Sequence, residues 1–83
     1  MSQSRTLRAD LVQHIMDEGQ ASLLVLVELS GYSAVGVRNG LLYLREAGLV
    51  LKTKTRDPMG YSLPLYSLSP AGIALALAEA PAP

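Results

Sequence analysis

The stretch from Ser30 to Gly72, SGYSAVGVRNGLLYLREAGLVLKTKTRDPMGYSLPLYSLSPAG, constrains the fold more than any other part of the chain. It reads as turn, helix, strand ending in cations, proline–glycine turn, returning strand and capped helix. Ser33 is a cap for a helix expected over 34–47 and closed by Gly48. Val37, Leu41 and Leu44 recur at i, i+4 and i+7 and form its buried stripe. Arg38, Asn39, Leu42, Arg45 and Glu46 fall towards the other side, and Arg45 near the C-terminal end complements the helix dipole. After Gly48 the period changes. From Leu49 to Thr55 threonines alternate with Lys52 and Lys54, which is strand behaviour. Asp57-Pro58-Met59-Gly60 is a turn in which proline fixes one φ and glycine permits a positive one. Tyr61 to Leu68 is the returning strand. Pro64 has no N–H to give a ladder, so pairing there is expected to be interrupted or one-sided. Ser69 and Pro70 then open a last helix to about Ala80.

Upstream, Thr6 caps a first helix running to about Glu18, with Leu7, Leu11 and Ile15 on one face and Gly19 as its stop. Ser22 precedes LLVLVELS, a run whose composition also suits a buried strand. The cap before it, Glu28 within it and the Gly31 turn after it point to a helix. The 83 residues allow one small domain: a disordered N-terminus at 1–5, a single domain over 6–80 and a tail at 81–83. The chain is 49% hydrophobic but has no Trp, Phe or Cys, so the core is expected to be Leu, Val and Ala. Absence of cysteine removes disulfides and thiolate metal sites and fits a reducing, cytoplasmic setting. No apolar run approaches the ~20 residues of a membrane span, and the N-terminus does not read as a secretory signal.

Leu26-Val27-Glu28-Leu29-Ser30-Gly31-Tyr32-Ser33, then Val37, Leu41, Leu44 and Gly48-Leu49-Val50, resembles the bacterial winged helix-turn-helix superfamily. The segment Leu42 to Val50 is close to the end of the recognition helix in many of its regulators. Tyr66-Ser67-Leu68-Ser69-Pro70-Ala71-Gly72 is similar to the strand-to-helix junction after the wing in PadR-like and MarR-like regulators. The resemblance covers roughly Leu7 to Leu77. It implies an α+β fold: a winged helix-turn-helix with a three-helix core, a β-hairpin wing and a C-terminal helix. It also implies that helix 34–47 enters the major groove of double-stranded DNA while the wing, 50–66, touches backbone or minor groove. Its groove-facing positions are then Ser33, Val35, Gly36, Arg38, Asn39, Leu42 and Tyr43.

The residues themselves give partial support. A guanidinium at Arg38 suits guanine and a carboxamide at Asn39 suits adenine, although both also suit the solvated face of an amphipathic helix. Lys52 and Lys54 share strand parity, and Arg56 continues it into the turn. This row can meet phosphates, with Arg38 and Arg45 on the same side, or it can keep an exposed edge soluble. Arg5 and Arg8 could add to the patch. Formal net charge is +0, so the position of each cation matters more than the sum. Gly36 and Gly40 are expected to allow close packing against the second helix. Exposed Leu42 and Val35 suit a thymine methyl or a protein partner.

The last helix, PAGIALALAEA, carries only Glu79 as a charge. Ile73 and Leu77 are expected to face the domain, leaving Leu75 for another surface. A helix apolar nearly all round is usually buried, so Ile73, Leu75 and Leu77 are expected to take part in a homodimer. His14 is the one histidine, with Asp10 one turn away. No nucleophile–base pair, phosphate loop or metal-ligand spacing stands out, so neither an enzyme nor a cofactor is expected. A small regulator that binds DNA as a dimer is the leading expectation. A winged-helix protein-interaction module, for example a phage or mobile-element accessory protein, is the alternative.

Overall fold

The computed structural model describes residues 6–79. The expected disorder at 1–5, the tail at 81–83, the last helical residue Ala80 and any contribution from Arg5 lie outside them. The order is α1 (Leu7–Glu18), β1 (Gln20–Ala21), α2 (Leu23–Ser30), α3 (Ala34–Glu46), β2 (Val50–Arg56), β3 (Ser62–Leu68) and α4 (Pro70–Glu79). The strands form one antiparallel sheet in the order β1-β3-β2.

Each expected cap is made by its own side chain. Thr6 accepts from the Ala9 N–H, Ser22 from Val25 and Ser33 from Gly36. Ser69 does two jobs: its hydroxyl accepts from the Gly72 N–H and donates to the Gly48 carbonyl at 2.6 Å. One serine thus starts α4 and fixes it to the turn that follows α3. The turn between α2 and α3 passes through Gly31 in the left-handed region. It is tied down by Tyr32, whose hydroxyl donates to Asp10 Oδ2 on α1 at 2.9 Å.

The core contains Leu11, Val12 and Ile15 of α1, Leu26 of α2, Val37, Leu41 and Leu44 of α3, Val50 of β2 and Ala76 of α4. Together with the absence of Phe and Trp, this makes a small aliphatic centre whose stability depends on close fit. Gly40 supplies part of that fit. A Cβ there would collide with the Leu7 and Leu11 side chains, so α3 approaches α1. The expected partner was α2; α1 takes that place because it crosses α3 at this point.

Two further features differ from expectation. β1 pairs Gln20 with Ser67 and Ala21 with Tyr66, making β3 the central strand. A strand of two residues carries no alternation for a sequence to display. α4 is also turned the other way. Gly72 and Ala76 are its buried residues, while Ile73 is 40% and Leu77 is 64% exposed. A Cβ on Gly72 would run into the Leu49 carbonyl. The small residues therefore let the helix axis come close, and Ile73 and Leu77 point outward. Leu75, expected to serve another surface, is half-buried beside Val12 and Leu49. Pro64 leaves the ladder intact opposite Lys54. Pairing there is one-sided, since β1 reaches only Tyr66 and Ser67 of β3.

Candidate nucleic-acid interface

α3 has two exposed flanks and a front. At 3.6 residues per turn, Val35, Asn39, Leu42 and Glu46 fall on the side directly opposite buried Val37, Gly40, Leu41 and Leu44. All four are exposed. This front is largely uncharged, with Glu46 its single acid.

The flank towards the wing is cationic. Arg38, Leu41, Leu42 and Arg45 of α3 line an open groove with Lys52 and Tyr66 of the hairpin. Strand parity explains the meeting. Val50 points into the core, so Lys52, Lys54 and Arg56 share its face. Beyond the core that face continues into solvent, where these side chains are exposed. Lys52 pairs across the ladder with Tyr66, Lys54 with Pro64 and Arg56 with Ser62. Arg56 also donates from Nη1 to the Gly60 carbonyl at 3.0 Å, which draws it back over the turn. The turn is organised by Asp57, whose Oδ1 accepts from the Met59 and Tyr61 N–H groups at 3.0 and 2.8 Å. That carboxylate is occupied by amides beside the cationic row.

The flank towards α1 carries Tyr43, 51% exposed, with the Arg8 guanidinium 4.0 Å from its ring centroid. Stacking of this kind is worth about 0.5–1 kcal/mol at an exposed site. It holds Arg8 against α3, placing one of the two N-terminal arginines left open by the sequence. Ser33, at the start of α3, has its hydroxyl engaged as the cap.

The neutral chain is therefore segregated. Of its seven cations, five (Arg38, Arg45, Lys52, Lys54 and Arg56) lie between 38 and 56, where Glu46 is the only acid. Asp10, Asp17, Glu18 and Glu28 lie on α1 and α2. The groove between α3 and the wing brings Arg38, Arg45 and Lys52 together. Lys54 and Arg56 stand farther out along the hairpin, Asn39 and Val35 lie on the front, and Tyr43 lies on the opposite flank. Sequence reading did not single out Glu46, although its spacing from Asn39 and Leu42 placed it there.

This arrangement of helices and sheet is the winged helix-turn-helix fold, as in transcriptional regulators of the MarR, PadR and YodB types. Three solved structures show the match. BpsR of Bordetella bronchiseptica aligns over 90% of this chain and 55% of its own at 23% identity, with a TM-score of 0.75. A probable transcriptional regulator from Pseudomonas aeruginosa aligns over 90% and 55% at 26% identity, TM-score 0.72. PadR of Bacillus subtilis, in complex with operator DNA, aligns over 94% and 51% at 12% identity, TM-score 0.74. This chain thus spans about half the length of these regulators. No family model matches the chain, and no curated protein matches it.

Proposed function

We propose that this chain is a DNA-binding transcriptional regulator that places α3 in the major groove and the wing against the backbone. The carrying observation is the groove in which Arg38, Arg45 and Lys52 converge, with Glu46 beside Arg45 and Lys52 as the one acid at its edge. Lys54 and Arg56 extend the positive face outward. Such a surface suits phosphates that flank a helix lying in the groove. Structural neighbours support the reading: the DNA binding of BpsR is regulated by 6-hydroxynicotinic acid, and PadR is seen on operator DNA.

The regulator acts as a homodimer through α4. Ile73 and Leu77 are exposed and Leu75 half-buried on a helix whose one charge among the described residues is Glu79. An apolar outer face of this kind is covered most simply by its own copy.

The test is duplex binding by fluorescence anisotropy over a salt series. Binding is expected to weaken steeply with salt. Lys52→Ala and Lys54→Ala each reduce affinity on every sequence and flatten the log–log slope by about one unit. Absence of duplex binding at low salt by the folded protein overturns the reading.

A further inference from the structure

We infer that the front of α3 reads thymine methyls and adenine, through Val35, Asn39 and Leu42, and that Arg38 serves the backbone with Arg45 and Lys52. This rests on the DNA-binding reading above and adds which bases the site selects.

The geometry divides the exposed residues of α3 by chemistry. Asn39 stands between two apolar side chains on one stripe, Val35 at 65% and Leu42 at 50% exposure. Neither apolar side chain belongs to the core, and Leu42 reaches from the front to the rim of the groove that Arg38, Arg45 and Lys52 line. A helix seated in the major groove turns its outermost stripe to the base edges. There thymine alone presents a methyl group, which apolar side chains contact, and adenine alone presents the N7 acceptor and N6 donor that a carboxamide grips with two hydrogen bonds. Arg38, by contrast, is displaced from this front towards the wing and shares a groove with Arg45 and Lys52. Three cations lining one groove match a phosphate run better than a single guanine.

Length sets the size of the site. From Val35 to Leu42 the helix rises about 10 Å, close to the height of about three base pairs. The selected core is therefore about three base pairs, rich in A·T, with adenine facing Asn39 and thymine methyls facing Val35 and Leu42. Glu46 continues the stripe one turn farther on and keeps phosphates away from that end.

The experiment selects bound duplexes from a random pool with the full chain, then measures affinity for the selected duplex and its uracil counterpart. Uracil keeps Watson–Crick pairing and removes only the methyl. An A·T core is expected, with a loss of about threefold to fivefold for each contacted methyl removed. Asn39→Ala is expected to lose about tenfold on the selected duplex and its preference for adenine. The double variant Val35→Ala, Leu42→Ala should bind thymine and uracil duplexes equally. Arg38→Ala should weaken all duplexes alike and leave the selected core unchanged. These positions are exposed, and unchanged thermal melting confirms that each variant folds. Duplex binding that ignores uracil substitution and keeps its preference in Asn39→Ala overturns the inference and spares the DNA-binding reading. A changed core in Arg38→Ala overturns the backbone assignment. Failure to bind any duplex at low salt removes both.

Discussion

α3 and α4 both lie against α1 and are buried by opposite means. α3 sends large side chains inward, Val37, Leu41 and Leu44, and relieves one crowded point with Gly40. α4 sends its smallest residues inward, Gly72 and Ala76, and turns Ile73 and Leu77 to solvent. A bond from Gln13 Nε2 to the Ala76 carbonyl, 2.8 Å, pins the second contact. The contrast shows that apolar content alone does not say which side of a helix faces the core. Approach distance decides it. Where a carbonyl already occupies the space, as Leu49 does beneath Gly72, only a residue without a Cβ fits.

Four substitutions break or sharpen this comparison. The largest effect belongs to Leu44→Ala, which opens a cavity in a small core and is expected to cost about 3 kcal/mol. The melting temperature then falls by about ten degrees or more. Gly72→Ala comes next. In an open helix it would add about 1 kcal/mol of helix propensity. Here the overpacking against Leu49 reverses the sign and costs about 2 kcal/mol. A chemical denaturation curve that shows Gly72→Ala stabilising the fold would disprove the close approach of α4. Third, Leu77→Glu is expected to change unfolding of the dilute protein by no more than about 0.5 kcal/mol, yet to abolish dimers in light scattering. A persistent dimer would place the interface elsewhere. Glu46→Gln has the smallest effect. It removes an anion from the front of α3 and should tighten duplex binding about twofold on all sequences at low salt, as read by anisotropy.

Much of the frame is legible in the sequence. Four caps, the three-residue stripe of α3 and the Asp57–Gly60 turn announce themselves through local chemistry, and each makes the hydrogen bonds or burial expected of it. What stayed hidden depends on crossing points. Gly40 signalled a close approach without naming α1 as the partner. β1 was too short to alternate. The outward turn of Ile73 and Leu77 followed from a carbonyl twenty-three residues upstream of Gly72, at Leu49, which no local pattern encodes. Within the interface, spacing placed Lys52, Lys54 and Arg56 on one face, and the expected fold put Arg38 and Arg45 on the same side. The fold adds that only Lys52 of the row lines a groove with them.

The short β1 divides the wing into two mechanical parts. It reaches β3 only at Tyr66 and Ser67, so the sheet is three strands wide at its root and two strands wide beyond. Lys52, paired with Tyr66, stands on the braced root. Lys54 and Arg56 ride on the two-stranded arm, which has no third strand to stiffen it. A cation on a braced support loses little freedom when it meets a phosphate, and cations on a bending arm can follow a groove whose width changes with sequence. On the proposed DNA-binding reading, the root would set the register of the protein on the duplex, and the arm would adjust to the local shape of the DNA.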